Sequence, residues 1–150
     1  MKIRIIGIIT LVVCILSGCF LISKEPYTFR QEFDQIVSIE ILKKEYDSIS
    51  PYTPMNVIET IDPSMHQELI DALMKIEGGR IGLEPGTGFG VYIIRITYKD
   101  GEIEMLGDYN NGYITPDGKL HEDIYAFDSD QYYQVISNYL GEVITPPTLG

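Results

Sequence analysis

The two histidines are the side chains whose neighbours could support metal binding or catalysis. His66 has Glu68 close by, and His121 is followed directly by Glu122 and Asp123. An imidazole beside carboxylates can bind zinc, but the close ligand spacing of a structural zinc site is absent. The serines also lack the Gly-x-Ser-x-Gly pattern of a nucleophile elbow. The sequence therefore predicts ordinary surface histidines and a chain that is not an enzyme.

The segment Asp108-Tyr109-Asn110-Asn111-Gly112 offers carboxylate and amide oxygens, which are calcium ligands. Compared with an EF-hand loop, its glycine comes one place early and its twelfth position is Lys119 instead of glutamate. We therefore predict a hairpin turn here, with no dedicated metal site and no cofactor. Weak calcium binding stays an alternative for the acidic residues that follow, which are Asp117, Glu122, Asp123, Asp128 and Asp130.

A leader precedes all of these residues. Lys2 and Arg4 form a basic start, residues 5–16 are almost entirely apolar, and two small residues precede Cys19. These are the parts of a secretory signal. The last four residues, Leu16-Ser17-Gly18-Cys19, resemble the lipobox of bacterial lipoproteins. The resemblance implies that Cys19 becomes the first residue of the mature protein and carries a thioether-linked diacylglycerol.

Lipidation at Cys19 predicts attachment to the outer face of the cytoplasmic membrane. The Ile- and Tyr-rich composition without Trp is similar to that of small lipoproteins of Gram-positive bacteria, so such a host is favoured. The alternative is an uncut signal anchor, because residues 5–23 carry no charge and about 20 apolar residues can span a bilayer. Both interpretations leave the rest of the chain outside, because Lys2 and Arg4 stay in the cytoplasm.

Charge and cysteine content restrict what the exported part can do. Loss of Lys2 and Arg4 leaves 9 basic residues against 22 acidic residues, a net charge of −13. This charge excludes nucleic acid as a partner, because such binding needs a basic face. It favours cationic partners such as metal ions or a basic protein surface. Cys14 leaves with the leader and Cys19 is modified, so no thiol remains for a disulfide, a metal site or a nucleophile.

Four regions follow from the composition of the chain. Residues 1–18 are the predicted signal peptide, and residues 19–32 are a predicted lipid-anchored tether because they show no hydrophobic period. Residues 33–141 form one predicted domain, and residues 142–150, with Pro146-Pro147, form a predicted loose tail.

Hydrophobic periodicity predicts an α+β domain. Residues 34–42 alternate as a strand does, and residues 91–127 contain four more strands separated by turn residues. Asp62 and Asp128 are N-caps of two predicted helices, which end at Gly78-Gly79 and Gly141. We expect an antiparallel sheet of four to five strands with two helices packed on one face, in the order β-α-β-β-β-β-α. This resembles small α+β folds such as the TATA-binding protein repeat or the PepSY domain, a likeness that carries no function.

The clearest hairpin is predicted around Asp100-Gly101, a two-residue turn signal. Such a turn would place Tyr98 opposite Ile103, with both on an apolar face. It would also place Thr97 opposite Glu104 on the polar face. The strand register between residues 109 and 127 stays open, because two further turns there allow more than one pairing.

The glycine-rich segment Gly78 to Gly90 is a predicted mobile loop and the preferred binding segment. It follows a helix and precedes a strand, which is the reverse of a phosphate-binding loop. Arg80 and Phe89 are its candidate contacts, and the partly exposed tyrosines predicted near the distal hairpins are added as candidates: Tyr109, Tyr113 and Tyr125. The functional hypothesis is a membrane-tethered, non-catalytic binding or protein-interaction module. The alternative is an extracytoplasmic carrier of a cation or small ligand that uses the acidic surface.

Overall fold

The computed structural model describes residues 23–45, 55–80, 90–108, 110–123 and 125–146. Its helices are α1 (His66–Leu73) and α2 (Ser129–Leu140), with 3₁₀ turns at Phe33–Gln35 and Pro63–Met65. The strands are β1 (Ser23–Lys24), β2 (Ile36–Lys44), β3 (Met55–Thr60), β4 (Gly78–Arg80), β5 (Tyr92–Tyr98), β6 (Ile103–Leu106), β7 (Asn111–Ile114), β8 (Leu120–Asp123) and β9 (Tyr125–Phe127).

Two antiparallel sheets organise these elements. The larger has six strands in the order β3-β2-β5-β6-β7-β8, and the smaller has three in the order β1-β4-β9. The predicted α+β class with an antiparallel sheet and two helices is confirmed. The predicted strand count and element order are wrong, because β1, β3 and β4 are short or edge strands with little periodicity. The last of the predicted strands, which ends at residue 127, is also divided into two strands, β8 and β9.

Both predicted N-terminal aspartates cap the start of a helical segment, and the last helix ends at Gly141 as predicted; the predicted end of the first helix at Gly78-Gly79 is wrong, because α1 ends at Leu73 and Gly78–Arg80 forms β4. The Asp62 carboxylate accepts a hydrogen bond from the Ser64 amide at 2.9 Å, and the 3₁₀ turn then leads into α1. The Asp128 carboxylate accepts from the Gln131 amide at 3.0 Å at the start of α2. Gly141 ends α2 with a φ of 68°, a left-handed conformation that glycine adopts without strain.

The main core lies between the helices and one face of the six-stranded sheet. Every second residue of β5 from Tyr92 to Tyr98 points to this face and is buried. Leu69 and Leu73 of α1 and Ile136 of α2 pack in the same cluster. Each such side chain contributes about 1.5–3 kcal/mol when it is fully buried. A smaller apolar cluster of Leu42, Ile93 and Met105 lies on the opposite face of the sheet.

The β5–β6 hairpin has a register one residue away from the predicted one. Its loop contains Lys99, Asp100 and Gly101, and the Tyr98 amide donates to the Glu102 carbonyl at 2.9 Å. Gly101 has a φ of 87°, as a three-residue hairpin loop requires. Thr97 therefore lies opposite Ile103, and Glu104 lies opposite Ile96 on the core face. The predicted polar-face position of Glu104 is wrong.

The folded region extends beyond the predicted boundaries at both ends. β1 pairs with β4, and Tyr27 is buried in the main core, so residues 23–32 are not a free tether. At the other end, Ile144 packs against the core and its amide donates to the Ser137 hydroxyl at 2.9 Å. The tail is therefore held to α2 at least as far as this residue.

The first three residues of the predicted mobile loop form a strand instead. Gly78–Arg80 forms β4, the central strand of the small sheet, and pairs with both β1 and β9. A Cβ atom on Gly78 would lie 2.5 Å from the Tyr125 hydroxyl oxygen, so this glycine serves a close approach of strands and not mobility. Residues 81–89 lie outside the described part of the chain.

Candidate functional site

A cleft of about 410 Å³ lies where β2 ends, β5 begins and the C-terminal segment returns over α2. Its walls are formed by Lys43, Val91, Tyr92, Tyr133 and the segment Glu142–Thr145. The volume lies within the range of small-molecule sites. The left-handed Gly141 ends α2 and directs the following residues back along this helix, so the C-terminal segment becomes one wall of the cleft.

The cleft combines an aromatic surface with two opposite charges. The rings of Tyr92 and Tyr133 meet edge to face, with centroids 5.8 Å apart and planes at 83°. The Lys43 ammonium lies 5.3 Å from the centroid of the Tyr92 ring. Glu142 supplies a carboxylate on the C-terminal wall. Tyr92 and Tyr133 are almost fully buried, so their rings form the floor of the cleft, and its exposed surface is supplied by Lys43, Glu142 and Val143.

Buried polar side chains follow the cleft residue Lys43, beginning with Lys44 at the end of β2. This cluster contains the side chains of Lys44, Asp108, Asn110 and Asn111, each at least nine-tenths buried. The Ser129 hydroxyl donates to the Asp108 carboxylate at 3.0 Å, and the Asn111 amide oxygen accepts from the Gly107 amide at 2.9 Å. Within the described part of the chain, Asp108 Oδ1 and the amide nitrogens of both asparagines have no hydrogen-bond partner.

Burial shifts the acid–base behaviour of this cluster. It lowers the pKa of Lys44, and the attraction of Asp108 opposes that shift. It raises the pKa of Asp108, and the hydrogen bond from Ser129 and the attraction of Lys44 act in the opposite direction. Both shifts reduce the charge that these groups carry inside the protein.

Of the three candidate tyrosines, Tyr113 and Tyr125 lie in the described part of the chain, and their surroundings differ. Tyr125 is buried in the main core, and its hydroxyl donates to the Glu25 carbonyl at 2.8 Å. Its predicted partial exposure is therefore wrong. Tyr113 is half-buried on β7, where it stacks on His121 with ring centroids 4.7 Å apart. Neither tyrosine lines the cleft.

The remaining predicted site residues are described in part or not at all. Arg80 is described through its backbone, which pairs with Tyr125 in β9. Cys19, Phe89 and Tyr109 lie outside the described residues. Their assignments to lipidation and to partner binding stay predictions.

The two histidines have different surroundings. His66 is buried at the start of α1, and its Nε2 atom lies 3.1 Å from the Ile61 carbonyl oxygen, so the prediction of a surface histidine is wrong for this residue. His121 is half-buried against Tyr113. In the described ranges, no three His, Cys, Asp or Glu side chains come together in a group that could hold a metal ion.

Sequence reasoning missed the cleft residues Lys43, Tyr92 and Tyr133. Lys43 is a charged residue at the end of a strand, and both tyrosines fit the apolar period of their elements. The useful signal was the glycine after α2 together with the apolar Val143 and Ile144 beyond it, because apolar residues after a helix stop need a surface to contact.

Comparison of the chain with family models, curated proteins and solved structures found no match in any of the three. Neither helix in the described part of the chain is long and apolar enough to cross a membrane.

Proposed function

We propose that the protein is a lipid-anchored, extracytoplasmic binding module that holds a partner in the cleft without acting on it chemically. The leader and the lipobox support the anchor at Cys19. The cleft carries the binding part of the proposal, because it joins two tyrosines, one cation and one anion in a space of about 410 Å³.

The cleft chemistry favours a peptide segment of a partner protein as the occupant. Lys43 can attract a carboxylate, and Glu142 can attract an ammonium or guanidinium group. Val143, whose side chain is 92% exposed, adds an apolar contact on the wall.

Expression in a Gram-positive host tests the anchor. We expect the wild-type protein in the membrane fraction, with mass spectrometry showing a mature chain that begins at Cys19 and carries a diacylglycerol. The Cys19→Ala variant should lose this lipid mass. At least two acyl chains are needed for stable anchoring, so the thioether-linked diacylglycerol suffices. An unmodified Cys19 in the wild-type protein contradicts the proposal.

Photo-cross-linking tests the cleft. Benzoylphenylalanine at position 143 should capture a discrete partner in intact cells, whereas the same group at position 120 should not. Leu120 is also exposed, but it lies on β8 at the far side of the six-stranded sheet from β2. Lys43→Glu should reduce the yield at position 143 by about tenfold or more, because it places a like charge against the partner's carboxylate.

Lys75→Glu is the matched control for charge. Lys75 is exposed after the end of α1, does not line the cleft and undergoes the same change of charge. Equal loss of cross-linking in both lysine variants would indicate a general effect of net charge and would contradict specific binding in the cleft.

A further inference from the structure

The N-terminal segment is bound to the domain along its length. Ser23 and Lys24 pair with Arg80 and Gly79 in β4, and the Glu25 amide donates to the Gly78 carbonyl at 3.2 Å. Tyr27 then enters the main core. Its ring contacts three other aromatic rings at centroid distances of 5.0–5.3 Å, which belong to Phe29, Tyr125 and Phe127.

Glu104 is the group on the sheet that receives this segment. Its side chain is fully buried on the core face of β6. It accepts hydrogen bonds from the Tyr27 hydroxyl at 2.5 Å, from the Arg30 amide at 3.3 Å and from the Tyr98 hydroxyl. Two of these three donors belong to the N-terminal segment, so the buried carboxylate joins this segment to the sheet.

Arg30 makes a second attachment beside the first. Its guanidinium donates to both carboxylate oxygens of Glu102, at 3.2 and 3.4 Å. It also lies 3.8 Å from the centroid of the Tyr113 ring. The Arg30 side chain is 42% exposed, so this ion pair is weakened by solvent, and the buried Glu104 contacts are the stronger part of the attachment.

The docked segment limits how far the domain can lie from a lipid on Cys19. Only residues 20–22 separate Cys19 from β1, and a fully extended chain gains at most about 3.6 Å per residue. Four steps from Cys19 to Ser23 therefore reach at most about 14 Å. If the segment up to Gln35 were released, the same lipid would be 17 steps from β2, a reach of at most about 60 Å.

We propose that Tyr27, Arg30 and Glu104 form a latch that holds the domain close to the lipid surface, with the β1 edge of the small sheet nearest the membrane. The inference rests on the proposed lipidation of Cys19. The β1 edge therefore faces the membrane in which the lipid on Cys19 is inserted. The latch determines the height of the domain above it and thereby which surface partners can reach the cleft.

Hydrogen exchange read by mass spectrometry tests the latch on the mature chain, which starts at position 19 and carries Cys19→Ala, so that both leader and lipid are absent. Tyr27→Phe removes one donor to Glu104 and should increase exchange of residues 23–35 by about tenfold, since one buried hydrogen bond is lost. Glu40→Gln is the control, because it weakens the ion pair with Arg95 in the same sheet on the opposite face. Unchanged exchange in residues 23–35, or an equal increase in β2 and β5, overturns the latch.

Energy transfer measures the height of the domain on vesicles of phosphatidylethanolamine and phosphatidylglycerol. The lipidated chain carries a dye at Asp130→Cys, an exposed site near the small sheet, and the acceptor is in the lipid. We expect efficient transfer with the latch intact and a clear decrease with Tyr27→Ala. Equal transfer overturns the latch. If Cys19 carries no lipid, neither the chain with Tyr27 nor the Tyr27→Ala variant would bind the vesicles. That result would contradict the proposed anchor and is distinguishable from failure of the latch.

Discussion

Replacing Tyr132 by alanine is expected to lower the free energy of unfolding by about 3–5 kcal/mol, the range for loss of a large buried aromatic side chain. Tyr132 is fully buried on α2 and stacks on Phe127 at a centroid distance of 5.7 Å. Its hydroxyl donates to the Leu106 carbonyl at 2.8 Å and lies 3.3 Å from the Tyr92 carbonyl oxygen. One side chain thus joins α2, β5, β6 and the small sheet.

Urea unfolding followed by circular dichroism measures this effect, with two tyrosine-to-phenylalanine variants as controls. Tyr132→Phe keeps the ring and should cost about 1 kcal/mol, for one hydrogen bond. Tyr139→Phe should cost nothing, because the buried Tyr139 hydroxyl has no hydrogen-bond partner in the described part of the structure. A Tyr132→Ala variant as stable as the wild-type protein would contradict the central position of this residue.

The two helices could be predicted because their signals are local. A capping aspartate, an apolar stripe and, for α2, a closing glycine lie within about 14 residues of sequence, and each acts on its own helix. The N-terminal segment gave no such signal. Its partners are 53 to 100 residues away, as the contacts of Lys24 with Glu77 and of Tyr125 with Glu25 illustrate. Only the folded chain brings them together.

The hairpin at Gly101 shows why the burial of Glu104 could not be predicted. A two-residue turn and a three-residue turn both accommodate Asp100-Gly101, and they differ by one residue in register. A shift of one residue moves every side chain of a strand to the other face. The three-residue loop therefore turns Glu104 inward, and Met105 and Ile103 join the smaller apolar cluster outside.

The cleft was inaccessible to sequence reasoning for a related reason. It is built from the end of β2 at Lys43, the first residue of β5 and a segment that follows α2. Tyr92 and Tyr133 obey the period of buried residues, so their types and spacing predict core positions, which they also occupy. Their second role appears only when the C-terminal segment is placed beside them.

Replacing Glu104 by alanine is expected to lower the free energy of unfolding by about 3–5 kcal/mol. The change leaves the buried hydroxyls of Tyr27 and Tyr98 without their acceptor, and each unsatisfied group costs about 1–3 kcal/mol. Glu104→Gln should cost much less, because the amide oxygen still accepts a hydrogen bond and the volume is unchanged. Equal losses in the two variants would contradict this account, because they would show that neither the side-chain volume nor the acceptor oxygen that glutamine keeps contributes to stability.

The same glutamine variant should flatten part of the pH dependence of stability. Burial raises the pKa of Glu104, and the hydrogen bonds from Tyr27, Tyr98 and the Arg30 amide oppose this shift without cancelling it. The folded state therefore holds the Glu104 proton more tightly than the unfolded state, whose pKa is near 4.5. The stabilisation from this proton is complete below pH 4.5 and is lost as pH rises through the higher pKa of the folded state.

The difference between the wild-type protein and Glu104→Gln isolates this contribution, because every other titrating group is common to both. The variant keeps every charged or titratable neighbour of this site. Some contact Glu104 directly, and others interact electrostatically with the tyrosines bonded to it: Tyr27, Arg30, Tyr98, Glu102 and Asp123. Urea unfolding at pH values from 4 to 8 should show the wild-type protein gaining stability relative to the variant as pH falls. If the wild-type protein instead lost stability relative to Glu104→Gln as pH falls, the expectation would be contradicted. The hydrogen-bond donors and the charge of Arg30 would then lower the pKa of Glu104 by more than burial raises it.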